Sequence, residues 1–180
     1  MTADSLFLER SLYYLTKEYP SKIRQCVEAL PDGAVWARAN DSCNSIGNLL
    51  LHLAGNIRQW IVGGVGNQPV ERHRAAEFAA REGDSATDLL RNLENVLRES
   101  AKVIDSLSEE DLTSPRFIQG RETTVLGAIY HVIEHFAMHT GQIVHMTKTF
   151  VPGTIHFYED AGELARPLWK RGDDVMKQEG

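Results

Sequence analysis

The stretch from Thr124 to about Phe150 constrains the fold of this chain more than any other, because it is long, apolar and rich in histidine. It is predicted to be one helix. Between Val125 and Thr147 it carries a single formal charge, Glu134. A segment with so few charges is expected to be buried in a soluble protein, where an imidazole is costly unless it is paired or binds a metal ion. The same stretch contains four histidines: His131, His135, His139 and His145.

Three of these histidines form one stripe on the predicted helix. A step of four residues displaces a side chain by only about 40° around the axis, so His131, His135 and His139 share a face. Two imidazoles at that spacing can hold one ion, as in helical zinc motifs. All three cannot, because His131 and His139 are about 12 Å apart along the axis, whereas a zinc–nitrogen bond is about 2.1 Å long. The spacing leaves both neighbouring pairs open and requires a third ligand from elsewhere.

A second helical pattern, from about Ser45 to Val62, offers that third ligand. Its apolar residues recur with helical period and predict a core face. A polar line runs beside this face, in which His52 stands one turn from Asn48 and one turn from Asn56. His52 is therefore the candidate third ligand.

The apolar periodicity predicts four long helices with no convincing pair of strands, which indicates an all-α four-helix bundle. Pro20 is expected to interrupt the first helix, and the glycines of 63–66 are expected to end the second. The next connection is long for a helix pair, which predicts a crossover between helices 2 and 3. We interpret Arg72 and Arg74 in this crossover as solvated side chains that pair with nearby glutamates, although an anionic ligand is the alternative.

One domain is expected from the chain length of 180 residues. Residues 1–153 are predicted to form the metal-binding bundle. Residues 154–180 are predicted to form an irregular C-terminal tail that packs on the bundle, with Trp169 as an anchor. The segment 113–123 is interpreted as a loop with some strand character.

Composition and charge disfavour several classes of protein. A net charge of −6 disfavours non-specific nucleic-acid binding, which needs a basic face. Cys26 and Cys43 form no CxxC pattern, and no signal peptide is evident at the N-terminus, so a reduced cytoplasmic protein is expected. The four imidazoles and Glu134 argue against a membrane span in the long apolar helix.

The segments LLLHLAGNIRQWI (49–61) and HVIEHFAMHTGQIVHMTK (131–148) resemble the DinB/YfiT-like family of metal-dependent proteins. That family has one histidine in the second helix and an HxxxHxGQ pattern in the last. The resemblance covers about residues 5–150. It implies a bundle with a long crossover, one divalent ion such as zinc or nickel per chain, and frequent homodimers. Carried over by position, it implies the metal ligands His52, His135 and His139.

The resemblance also implies a chemistry, since several relatives use the metal to activate a small thiol. A metal ion held by three neutral imidazoles keeps one coordination position open. Such an ion lowers the pKa of bound water toward about 7 and deprotonates a bound thiol. We therefore expect a thiol S-transferase or hydrolase-like activity on a small-molecule substrate. Gln142 is expected to contact a ligand imidazole or the metal-bound group, and His131 either relays a proton or is a satisfied core histidine.

The sequence also allows two other interpretations of the histidine site. Residues 131–135 match the inverted HxxEH motif of zinc peptidases, which would use His131 with His135 and Glu134 as the base. Alternatively, the ion is structural or senses a ligand in a non-catalytic, dimeric module. A closed structural site needs four protein ligands, and His156 in the tail is the candidate fourth.

Overall fold

The computed structural model describes residues 2–161 and 164–170. In this part of the chain helices dominate, and two short hairpins accompany them. The helices are α1 (Ala3–Tyr13), α2 (Tyr19–Glu28), α3 (Ile46–Ile57), α4 (Arg74–Ala79), α5 (Ala86–Asp105) and α6 (Val125–Phe150). The strands are β1 (Pro115–Ile118), β2 (Arg121–Thr124), β3 (Tyr158–Ala161) and β4 (Leu164–Pro167). The predicted all-α bundle is confirmed, with the hairpins as additions to it.

The side-by-side packing of α3 and α5 explains the length of the connection between them, because the two helices run parallel. Arg58 Nη2 lies 3.7 Å from Glu99 Oε2, and further along both helices Gly66 packs against Val103. Parallel neighbours need a connection that returns along the bundle. Residues 67–85, with α4 in their middle, supply it, and the predicted crossover is therefore found.

The core of the bundle consists of apolar side chains from the long helices. Burying each of the larger ones stabilises the fold by about 1.5–3 kcal/mol. The largest fully buried side chains are Phe136, Leu15, Ile23, Ile46, Leu49, Leu50, Leu53, Ile57, Ile61, Leu89, Leu93 and Ile104.

The prediction that Pro20 interrupts the first helix is wrong. The segment Tyr14–Glu18 is π-helical and joins α1 to α2 without a break, and Tyr19 N–H donates to the carbonyl of Tyr14. Proline has no N–H and clashes with the carbonyl four residues earlier in a regular α-helix. The wider π turn directly before Pro20 lets the chain continue into α2.

The second helix ends within the glycines of 63–66, as predicted. It continues as the π-helical segment Arg58–Val65 and ends at Gly66. A Cβ on Gly63 would lie 2.5 Å from Val70 Cγ2, and one on Gly64 would lie 2.3 Å from Ile118 Cδ1. Gly63 and Gly64 are therefore also needed for close packing of the crossover and the first hairpin.

Antiparallel hairpins form in the two regions that were predicted to be a loop with some strand character and an irregular tail. β1 and β2 pair around Gln119 and Gly120, whose φ angles of 52° and 74° are typical of a tight two-residue hairpin turn. The prediction of an irregular tail is wrong for the described residues beyond 153, because β3 pairs with β4 there. Trp169 Nε1 donates to Tyr13 Oη at 2.9 Å, as expected for an anchor. The rest of the predicted tail, residues 171–180, lies outside the described residues.

Candidate metal centre

The start of α3 determines where His52 lies. Ser45 caps the helix, with its Oγ accepting from Asn48 N–H at 3.1 Å, and Asn48 Oδ1 accepts in return from Ser45 N–H at 3.0 Å. Such a reciprocal capping box satisfies two backbone donors that the first turn leaves free. The apolar face of α3 then turns into the core, and His52 beside it is only 4% exposed.

The other two histidines come from α6, which begins and ends where the sequence predicts. Thr124 caps it by accepting from Gly127 N–H at 3.1 Å. Val132 and Phe136 are fully buried, so the adjacent stripe with His135 and His139 lies at the boundary between core and surface. The helix therefore presents these two imidazoles to α3.

His52, His135 and His139 lie together. Each has a ring nitrogen within 4.8 Å of the corresponding nitrogens of the other two, an arrangement that can hold a metal ion. The Nε2 atoms of His135 and His52 are 2.8 Å apart. The ring centroids are 4.4 Å apart for the two α6 histidines. The histidines that the resemblance implies as ligands are therefore neighbours in space, although 83 residues separate His52 from His135 in the sequence.

A carboxylate from the crossover orients the ring of His52. The distance from His52 Nδ1 to Glu77 Oε2 is 2.9 Å, and Arg72 Nη2 lies 3.2 Å from the same nitrogen. Only the carboxylate can accept a hydrogen bond, so Nδ1 carries the proton and donates it to Glu77. The Nε2 atom, which faces the other two histidines, is then left with its lone pair.

Gln142 orients His139 in the same way. His139 Nδ1–H donates to Gln142 Oε1 at 2.7 Å, which leaves Nε2 of His139 unprotonated. Gln142 therefore contacts the imidazole of His139, and the role of that imidazole as a metal ligand stays a prediction. Support of this kind, by an acceptor on the far ring nitrogen, is typical of metal-binding histidines.

The environment keeps His135 and His139 neutral. Burial lowers the pKa of His135 to about 3, and the neighbouring imidazoles of His139 and His52 contribute. Burial also lowers the pKa of His139, against the opposing effect of its bond to Gln142. Neutral imidazoles with free lone pairs are the form that binds a cation.

The carboxyl group of Glu77 stays ionised for a different reason. Burial by itself would raise its pKa, but hydrogen bonds and charge from Arg72 and His52 outweigh burial and hold the pKa below its ordinary value. The interpretation of Arg72 as a solvated loop residue is wrong, since its side chain is only 7% exposed. Its predicted pairing with a nearby glutamate is correct.

The donor set fits a divalent cation such as zinc or nickel. In His52 and His139, Nδ1 is paired with an acceptor outside the cluster, so the other ring nitrogen is available to an ion. Three imidazoles are a known ligand set for such ions. Among residues 2–161 and 164–170 the group consists of three side chains and contains no fourth. His156, the candidate fourth, instead contacts the carbonyl of Gly153 at 3.0 Å.

His131 lies outside the cluster. Its ring packs against the indole of Trp60, tilted by 40° with centroids 4.1 Å apart, and its centroid is 5.5 Å from that of His135. Burial lowers the pKa of His131. Glu134 is exposed, so the geometry gives no support to the inverted peptidase motif.

Glu77 and the buried position of Arg72 are the parts of the site that the sequence did not reveal. Both residues lie in the crossover, where no periodic pattern predicts which side chains turn inward. The polar line beside the core face of α3 was the sequence feature that could have indicated them, because Asn48 binds the crossover. Its Nδ2 donates to the carbonyls of Glu77 and Ala80 at 2.7 and 2.9 Å.

The fold and the histidine cluster together define a DinB-like helical bundle with a site that can hold a metal ion. The chain belongs to the family described as "Protein of unknown function (DUF1572)", whose model matches residues 5–156. Among curated proteins, none matches the sequence.

A solved structure supports the same fold. The chain is similar to the crystal structure of a DinB-like protein, YjoA, from Bacillus subtilis, with a TM-score of 0.63 and 14% sequence identity. The similarity covers 85% of this chain and 99% of that one. It confirms the predicted resemblance at the level of fold. In the described part of the chain, no helix has the length and apolar character needed to cross a membrane.

Proposed function

We propose that this protein binds one divalent metal ion, zinc or nickel, through His52, His135 and His139. The observation that carries the proposal is the acceptor that two of the rings have outside the cluster. His52 Nδ1 lies 2.9 Å from Glu77 Oε2 and His139 Nδ1 lies 2.7 Å from Gln142 Oε1, so the other ring nitrogens of His52 and His139 are left to bind an ion together with His135. Lone pairs collected in this way repel one another unless a cation or a proton lies between them.

The charges around the cluster support a site that attracts an anion. The three imidazoles are neutral donors, and the negative charge of Glu77 is matched by the guanidinium of Arg72, 2.7 Å away. The charge of a bound divalent ion would therefore remain uncompensated, with one position open. When bound, such an ion lowers the pKa of a coordinated thiol or water.

We infer from this that the substrate is a small molecule and that the reaction uses a thiol or water as nucleophile, in a thiol S-transferase or hydrolase-like reaction. Gln142 would hold the ring of His139 in position. The nucleophile bound to the metal ion would thereby be positioned too. His131 would accept a proton next to the site, because burial keeps it neutral near pH 7. The free thiols of Cys26 and Cys43 support the proposed cytoplasmic location.

We also propose a homodimer, because α6 exposes an apolar stripe next to the site. Leu126, Tyr130 and Met138 are 38%, 61% and 53% exposed. Intervals of four and eight residues set them on one face, with the exposed Glu134 between Tyr130 and Met138. Exposed apolar surface of this kind is typical of protein interfaces. It also favours the second candidate function, a non-catalytic dimeric module that binds the ion or a ligand.

Elemental analysis of purified protein tests the metal proposal. We expect about one equivalent of zinc or nickel per chain in the wild type, and loss of that metal in His52→Ala. His145→Ala is the matched control, since it removes an exposed histidine of α6 and should retain the metal. A His52→Ala protein with a full equivalent of metal would refute the proposal.

Titration of cobalt-substituted protein with a small thiol separates the two candidate functions. A new sulfur-to-cobalt absorption band is expected if an open position accepts a thiolate. An unchanged spectrum would contradict thiol activation and favour the non-catalytic module.

A further inference from the structure

The crossover presents a buried ion pair to the candidate metal centre. Arg72 Nε donates to Glu77 Oε1 at 2.7 Å and Arg72 Nη2 donates to Glu77 Oε2 at 2.8 Å. The two side chains are only 7% and 11% exposed. Two parallel charge-assisted hydrogen bonds hold the carboxylate in one orientation, and in that orientation Oε2 accepts from His52.

The surface of α3 is shaped to receive this pair. A Cβ on Gly55 would lie 2.1 Å from Glu77 Oε1 and 2.9 Å from Arg72 Nε. No side chain larger than hydrogen can therefore occupy this position while the ion pair keeps its place. The missing side chain of Gly55 is what allows the carboxylate to reach His52.

Four positions of α3 and its π-helical extension contact the ion pair or its backbone. Asn48 binds the backbone carbonyl of Glu77, and His52 binds its carboxylate. Gly55 makes the space, and Gln59 Oε1 accepts from Arg72 Nη1 at 2.8 Å. These positions follow one another at steps of four, three and four residues, which is the spacing of a single helix face.

We propose that Glu77, clamped by Arg72 and seated at Gly55, is a positioning residue that sets the metal affinity of the His52 site. This inference rests on the proposed function. A carboxylate on the far nitrogen of a ligand histidine maintains its tautomer and ring orientation, and losing it commonly costs about 10- to 100-fold in metal affinity. Arg72 prevents the carboxylate from turning away from the ring.

The experiment measures the dissociation constant for Zn²⁺ in the full-length protein, by competition with a chromophoric chelator. Glu77→Ala and Gly55→Ala are expected to bind Zn²⁺ about 10- to 100-fold more weakly than the wild type. Glu77→Gln keeps an acceptor oxygen and should lie between Glu77→Ala and the wild type. The thermal unfolding midpoint of each metal-free variant is measured in parallel.

Two control variants match these changes. Glu71→Gln removes an exposed crossover carboxylate, and Gly141→Ala adds a methyl group to a helix at a position with nothing within 4 Å. Both should stay within about threefold of the wild-type affinity, well below the effect of losing a supporting carboxylate.

The outcomes are distinct. A purely structural role for Glu77 would lower the unfolding midpoint of the metal-free protein and leave the dissociation constant unchanged, which overturns the inference. Should Glu77→Ala not fold, wild-type affinity in Glu77→Gln and Gly55→Ala overturns it equally. If the wild type binds Zn²⁺ and His52→Ala does not, a negative result at Glu77 defeats this inference alone. A wild type that binds neither Zn²⁺ nor Ni²⁺ defeats the proposed function and this inference together.

Discussion

His131 and His139 are equivalent in the sequence and different in the fold. Each is one turn from His135 on the same stripe of α6. His139 is 8% exposed and donates to Gln142, and its ring centroid lies 5.1 Å from that of His52. The ring of His131 instead packs against Trp60. One end of the stripe belongs to a candidate metal centre and the other end to an aromatic contact.

The difference follows from what α3 presents to each end of the stripe. The two helices are antiparallel, so moving from His139 to His131 on α6 corresponds to moving from His52 to Trp60 on the facing helix. Trp60 is 4% exposed, and its Nε1 donates to Gln119 Oε1 at 3.3 Å, so the first hairpin holds it in place. The role of a histidine on α6 therefore depends on its partner across the interface.

The largest expected effect is the difference in metal binding between the alanine variants of His139 and His131. His139→Ala should weaken Zn²⁺ binding by more than about 100-fold, since a ligand contributes more than a supporting residue, whose loss costs about 10- to 100-fold. His131→Ala should retain the metal. Elemental analysis and chelator competition measure both. Metal retained in His139→Ala and lost in His131→Ala would reverse the assignment and favour the inverted peptidase motif.

A smaller effect is expected at Gln142, which supports His139 and has no counterpart at His131. Gln142→Leu removes the acceptor for His139 Nδ1–H and should weaken Zn²⁺ binding by about 10-fold. Gln142→Glu keeps an acceptor oxygen at the same distance along the side chain and should bind at least as tightly as the wild type. Equal affinities of the leucine and wild-type proteins would show that the hydrogen bond does not orient the ring for metal.

A separate effect concerns the stability of the metal-free protein as a function of pH. An unfolded histidine takes up a proton near pH 6.5, whereas His135 in the fold does so only at about 3. Between these values the unfolded state binds more protons, so the free energy of unfolding should fall as the pH is lowered. The depressed pKa of Glu77 acts in the same direction.

Urea unfolding of metal-free protein at several pH values between about 7 and about 4 measures this dependence. His135→Asn, which has no imidazole to protonate, should show a shallower decline than the wild type. A wild-type protein that becomes more stable on acidification would contradict the buried, neutral state of the cluster.

Much of the fold follows from local patterns. The second long helix begins at Ser45 and the histidine helix at Thr124, as predicted, because an N-cap side chain bonds to a backbone group within three residues of it. Pro20 was misread, because the π-helical turn directly before it lets the helix continue. The packing role of Gly63 and Gly64 was not predicted, because it depends on Val70 and Ile118. The choice of His135 with His139 came from the family resemblance, since the spacing alone allowed either pair.

The sequence by itself determined the helices, their buried faces and the line of histidines and asparagines beside those faces, since helical periodicity is a property of neighbouring residues. Only the tertiary structure decided that Glu77 and Arg72 pack against Gly55 and that Trp60 contacts His131. A crossover without periodicity can follow many paths, and its contacts depend on side chains far away in the chain. The support of His52 is therefore a property of the assembled bundle.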